Sequence, residues 1–170
     1  MSSSRKQSAV EIRLAGIDDA AEVALILRLA FAEYQMLYTA AAFAATVPTE
    51  EQIEERWDEG PVWIAFLEKR SAGTISAVAF GTSLYLRSLG IVPEARGQNL
   101  GRLLLEEAKN YARQNGFKRL FLSTTPFLHH AIRLYKQFGF VRTRGRPGDL
   151  KGTPLFTMTM ALKPETEQLP

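Results

Sequence analysis

Cysteine is absent from the chain, and histidine occurs only at positions 129 and 130. The first absence removes disulfides, cysteine nucleophiles and thiolate metal sites together. The second leaves too few imidazoles for a histidine-rich metal centre, so no metal is expected. No apolar run approaches the ~20 residues that span a bilayer. The opening residues Met1–Lys6 are polar and lack the apolar stretch of a secretory signal. A cytoplasmic address without membrane association is the expectation. Internal repeats and low-complexity linkers are also missing. What remains is 170 residues, 46% hydrophobic and 23% charged, ordinary for a globular protein and enough for one domain with a substantial core. That domain is expected over 9–163, with residues 1–8 flexible and 164–170 frayed.

Charge is unevenly placed. Residues 1–90 carry 8 Lys/Arg against 12 Asp/Glu, and residues 91–170 carry 13 against 6. A basic second half suits an anionic ligand, and an acidic first half suits a cation, although solvated faces account for such charges equally well.

Strand and helix patterns alternate along the chain. Val10–Leu14 reads as a strand and leads through Asp18-Asp19, a candidate N-cap pair, into a helix over Ala20–Tyr34. The alanine-rich stretch 35–47 fits either a helical extension or a loop over a cleft. Thr49 caps an acidic helix over Glu50–Asp58. Strands are expected at Val62–Leu67, Thr74–Phe80 and Leu84–Val92, with hairpin turns at Ser71–Gly73 and Gly81–Ser83. An amphipathic helix follows Pro93 and stops at Asn115-Gly116. A strand at Arg119–Ser123, a helix at Leu128–Phe138 ended by Gly139, and strands at Phe140–Thr143 and Leu155–Leu162 complete the pattern, with a loop at 145–149. The sum is an α+β domain with a mostly antiparallel sheet and one strand–helix–strand unit near its centre.

The segment Leu89–Leu104 carries the chemistry. A strand ends at Pro93, the polar turn Arg96-Gly97-Gln98-Asn99-Leu100-Gly101 follows, and a helix begins at once. The first turn of a helix leaves backbone amides unpaired and carries partial positive charge, which suits a phosphate. Gly97 and Gly101 let the backbone come close to a ligand, and Arg96 and Arg102 add charge. On its own the turn is equally an ordinary strand–helix connection. A nucleotide-triphosphate loop would place Lys-Ser or Lys-Thr after the last glycine, where Arg102-Leu103 stands. A dinucleotide fold would place its glycines in the first strand–helix turn.

With Ile91-Val92-Pro93 before it, this turn resembles the acetyl-CoA motif of the GNAT superfamily of N-acetyltransferases, Arg/Gln-x-x-Gly-x-Gly/Ala. Asn99 stands where the family usually has glycine. A second match is Ala131-Ile132-Arg133-Leu134-Tyr135-Lys136-Gln137-Phe138-Gly139-Phe140, similar to the family's Ala-x-x-Leu-Tyr-x-x-x-Gly-Phe. The two elements span roughly residues 85–142. The resemblance implies a GNAT-like domain with a six- to seven-stranded mixed sheet and about four helices. It implies an acetyl-CoA site formed by Leu89, Gly90 and Ile91, by the turn Arg96–Arg102, and by Leu128 and Tyr135. Leu128 replaces a frequent asparagine and removes one side-chain hydrogen bond to the pantetheine arm.

In the family the strand before the motif splays from its neighbour, the pantetheine pairs with its backbone, and the tyrosine at the place of Tyr135 protonates the departing thiolate. A neutral amine attacks the thioester, whose oxyanion takes a backbone amide. Many relatives carry an acidic base on the strand that here reads Tyr85–Leu89, and no carboxylate stands there. Glu33 is the nearest substitute, with a water relay as the alternative. His129 and His130 read as surface or supporting residues. The acceptor side is open: the run Glu50, Glu51, Glu54, Glu55, Asp58 and Glu59 would flank a cationic amine, and Arg142, Arg144 and Arg146 would hold the 3′-phosphate or an anionic acceptor, or each set is simply solvated. Expected partners are acetyl-CoA and an amine of a small molecule or peptide, with homodimerisation allowed. A non-catalytic acyl-CoA sensor is the alternative. A nucleic-acid binder, suggested only by the basic second half, lacks an aromatic–basic reading motif.

Overall fold

The computed structural model describes residues 8–164; nearly all of the two expected flexible ends, 1–7 and 165–170, lies outside them. An eight-stranded sheet runs in the order β1-β2-β3-β4-β5-β8-β6, with β7 paired to β8. The strands are β1 (Val10–Leu14), β2 (Val62–Leu67), β3 (Arg70–Phe80), β4 (Ser83–Ile91), β5 (Arg119–Thr124), β6 (Val141–Arg142), β7 (Gly148–Leu150) and β8 (Thr153–Ala161). Every pair is antiparallel except β4 with β5. Five α-helices flank the sheet: α1 (Ala20–Phe31), α2 (Ala40–Thr46), α3 (Glu50–Glu55), α4 (Leu100–Gln114) and α5 (His129–Phe138). The class is the expected α+β. The sheet exceeds the expected strand count because β7 forms inside the segment assigned to a loop, and α2 is the additional helix. Among the described residues no helix is long and apolar enough to cross a membrane.

Two local expectations are corrected. The β2–β3 turn lies at Glu68-Lys69, both at positive φ (50° and 65°), and not at Ser71–Gly73, which is strand. Two consecutive left-handed residues match the twist of a tight hairpin, but Glu-Lys is not the composition that announces one. The first α-helix stops at Phe31 and tightens to a 3-10 turn over Ala32–Leu37. Thr39 then starts α2, its hydroxyl accepting from Ala42 N at 3.1 Å and donating to the Lys151 carbonyl at 2.7 Å. Residues 35–47 therefore break into two turns of helix tied to the β7–β8 hairpin.

The core follows from apolar periodicity. Strand β2, inside the edge strand β1, buries Val62, Trp63, Ile64 and Ala65 in succession because both faces are covered. Helix α1 turns Val23, Ile26, Leu27 and Ala30 inward, and α4 turns Leu100, Leu104, Leu105, Ala108 and Ala112 inward.

The expected cap pair at the start of α1 works differently. Asp19 makes no side-chain cap to the helix. Its carboxylate accepts from Gly16 N at 2.8 Å and pairs with Arg13 at 2.8 Å. The hydrogen bond from Arg13, then that from Gly16, hold its pKa at about 2, below the usual carboxylate value. A depressed folded-state pKa gives stability that is present above the unfolded pKa and lost as pH falls through the folded one. Asp19→Asn is expected to lower Tm by about 2 °C at pH 7. In calorimetry from pH 7 to pH 2 the gap should hold above about pH 4 and close towards pH 2.

Candidate active site

Strands β4 and β5 pair only over Ser83–Tyr85 and Arg119–Phe121. Beyond Tyr85 the β5-facing edge of β4 has no strand partner, so its backbone groups open onto a cleft of about 1060 Å³. On the opposite edge the β3 register jumps from Thr74↔Gly90 to Ser76↔Arg87, a bulge that sets Ser88 and Leu89 against the single residue Ile75. Ser88 sits at φ 55°. Such a bulge kinks the strand and redirects its amides. Leu89, Gly90 and Ile91, singled out from the sequence, line the cleft at this kink.

The cleft continues onto the turn before α4. Asn99 adopts φ 68°, ψ 14°, the left-handed conformation that glycine takes freely and asparagine tolerates best among the others. It starts α4 through its carbonyl, which accepts from Leu103 N at 3.2 Å. The amides of Leu100, Gly101 and Arg102 have no acceptor one turn back in the helix. Gly97 is at φ 78° with open space around it. Gly101 lines the cleft and also has a packing duty: a Cβ there would lie 2.8 Å from Leu134 Cδ2, so its small size admits α5 against α4. Gln98 alone among Arg96–Arg102 does not line the cleft.

Arg96 is anchored to α1 and the 3-10 turn after it: Nη2 donates to the Ala30 carbonyl at 3.0 Å and Nη1 pairs with Glu33. Glu33 lines the cleft mouth, already engaged by a guanidinium.

Tyr135 stands on the inner face of α5, is 8% exposed, and lines the same cleft. Burial pushes its phenol far above the ordinary tyrosine value, reinforced by Tyr38 and Tyr85 nearby. Burial likewise raises Tyr38 and Tyr85. Gly139, at φ 121°, ends α5 and returns Phe140 to the core, where Phe140 N donates to the Tyr135 carbonyl at 2.9 Å. Leu128 precedes α5 and lines the cleft; of the two histidines only His130 does, on an exposed position.

Several lining residues were invisible in the sequence. Tyr34 and Tyr38 pack on Phe127, Tyr38 edge-on at 4.8 Å, and close one wall. The Thr124 hydroxyl, at the end of β5, is buried without a hydrogen-bond partner among the described residues, and the buried Thr125 hydroxyl faces the Tyr38 phenol. Arg56 and Arg87 line the far end. The six acidic residues of 50–59 are all exposed and none lines the cleft directly; Glu59 reaches it only through its pair with Arg87.

The model of the Acetyltransferase (GNAT) family matches residues 26–140. The chain belongs to this family. The uncharacterized N-acetyltransferase YhfO of Bacillus subtilis is 31% identical over 144 residues, covering 80% of this chain and 93% of the relative. The uncharacterized N-acetyltransferase YjgM of Escherichia coli is 44% identical over 55 residues, 32% of this chain and 33% of its own length. Among solved structures, a GNAT-family acetyltransferase from Streptococcus pneumoniae superposes with a TM-score of 0.73 at 25% identity over 91% of this chain and 100% of its own. YncA of Salmonella typhimurium, solved with its cofactor acetyl-CoA, gives 0.70 at 24% identity over 93% and 96%. The GNAT fold is thereby established.

Proposed function

We propose that this GNAT-family chain moves an acetyl group from acetyl-CoA to a primary amine by direct attack. The observation that carries the reading is the convergence, in one cleft, of the unpaired β4 edge, the free amides at the start of α4 and the buried Tyr135. Leu89–Ile91 pair with the pantetheine arm as an added strand, with Leu128 against it. Gly97, Asn99, Leu100, Gly101 and Arg102 present amides and charge to the pyrophosphate; Gln98, pointing elsewhere, serves the turn. A backbone amide at the bulge takes the thioester oxyanion. Tyr135, kept protonated by burial, gives its proton to the thiolate as the C–S bond breaks and the C–N bond forms.

The attacking amine sheds its proton to water in the open cleft. Glu33, the one carboxylate among the lining residues, spends its charge on Arg96 and so holds the donor loop against α1. Glu33→Gln is expected to raise KM for acetyl-CoA about 5-fold, a modest loss for one part-exposed ion pair, with kcat nearly unchanged. A fall in kcat that deepens at low pH would instead make Glu33 the base.

Thermal-shift titration with acetyl-CoA tests the site. Ligand at about 100 times Kd adds about 2.7 kcal/mol, read as a clear rise in Tm; no rise at millimolar acetyl-CoA overturns the reading. Thiol release across an amine panel then separates turnover from the alternative, an acyl-CoA-binding module without catalysis, for which the absence of a carboxylate on Tyr85–Leu89 speaks.

A further inference from the structure

The charges lining the cleft are distributed by end. Arg96 lies in the turn before α4 and Arg102 in its first turn, and Glu33 is consumed by Arg96. At the opposite end stand two guanidiniums from distant segments. Arg56 follows α3, and Arg87 lies on β4, immediately before the bulge at Ser88-Leu89. Arg87 pairs with Glu59. Arg56 donates Nε to the Gln52 carbonyl at 3.2 Å and has no carboxylate partner among the described residues. Both side chains are partly buried. The two are close enough to act on one another: burial first, then Arg87, lowers the pKa of Arg56, with Glu59 opposing. Two partly desolvated like charges with one carboxylate between them form an incomplete arrangement, which an anion completes by charge-assisted hydrogen bonds.

Resting on the acyl-transfer reading above, we infer that the acceptor is a small amine bearing a carboxylate, which Arg56 and Arg87 seat at the far end of the cleft. Position supports a small molecule. At about 3.3 Å per strand residue, Arg87 lies two residues, or about 7 Å, from Leu89 at the bulge where the thioester is proposed to sit. The nitrogen and carboxylate oxygens of an α-amino acid lie about 3–4 Å apart, and a charge-assisted hydrogen bond of about 2.8 Å to a guanidinium makes up the rest of that interval. A polycation finds no unengaged carboxylate in the cleft: Glu33 is paired with Arg96, none of the acidic residues of 50–59 lines the cleft, and Glu59, which reaches it through Arg87, is paired there.

The test uses the full chain, acetyl-CoA and a thiol-release readout. Free amino acids are compared with their methyl esters, their amides and the corresponding decarboxylated amines, with kcat/KM expressed per neutral amine. Free acids are expected to exceed the neutralised forms by about 10-fold or more, the range of hydrogen bonds to a charged group. Arg56→Ala and Arg87→Ala should each raise KM for the free acid about 10-fold to 100-fold and collapse the preference, with Arg56→Lys recovering part of it. Because Arg87→Ala also strips Glu59 of its partner, the wild-type panel and Arg56→Ala decide the matter if that variant folds poorly. Equal or better turnover of esters, amides or decarboxylated amines overturns the proposal, as does acetyl-CoA binding without acetylation of any carboxylate-bearing amine. The first result leaves the acyl-transfer reading standing, and the second leaves it standing when other amines of the panel release thiol. Failure of acetyl-CoA to bind at all removes that reading and this one together.

Discussion

Tyr135→Phe is expected to lower kcat by about 100-fold while leaving KM for acetyl-CoA within about 3-fold, the range for loss of one positioned general acid. The change deletes a single oxygen. The ring keeps its place against Phe140, 5.9 Å between centroids, so packing survives and melting should shift little. The loss falls on the transition state because the thiolate gains charge only as the thioester collapses. pH dependence adds a second check. Burial pushes the phenol well above the ordinary tyrosine value, so the acid stays protonated through the working range. The wild-type profile should therefore show no alkaline fall from Tyr135 below about pH 10. A thiol leaving group acidified by an electron-withdrawing substituent needs less protonation, and with such a donor the variant should regain most of its rate. If Tyr135→Phe turns over normally at every pH, water is the acid.

The proposed donor side is legible in the sequence because it is written in contiguous residues. The glycine pattern of 96–101, the apolar phase of α4 and the Gly139 stop each depend on local backbone rules, and each appears where expected. Even Asn99, a departure from the family pattern, was interpretable from its tolerance of positive φ. The proposed acceptor side is assembled from residues far apart in the chain. Arg56 and Arg87 meet only because the fold brings the residue after α3 to the strand β4, although they lie 31 positions apart in the chain. No periodicity reports such meetings. The Glu33–Arg96 pair shows the same limit from the other direction: both residues were singled out, for separate tasks, and the fold joins them. Glycine was the least reliable sign of purpose. Gly73 read as a turn residue and lies in strand β3, while the turn itself is made by Glu68-Lys69.

The loop's geometry in turn rests on the core beneath it, which Leu104→Ala probes. Leu104 is fully buried on the inner face of α4. Its Cδ1 would lie 3.2 Å from a Cβ on Gly73 and so packs directly on the sheet at the level of Ile91. Truncation there removes transfer free energy and leaves a cavity that neighbouring strands cannot close. The expected cost is about 3 kcal/mol, or a fall in Tm of about 10 °C for a chain of this size. Leu103→Ala, one residue earlier and half-buried, should cost less than half as much. The pair separates packing from helix propensity, since both positions exchange the same residue in the same helix. Saturating acetyl-CoA should restore a fixed increment to both variants, because at the proposed site it binds only the folded turn ahead of α4. If Leu104→Ala instead lost that increment while Leu103→Ala kept it, the core under α4 would be setting the shape of the anion-binding turn as well as supporting it.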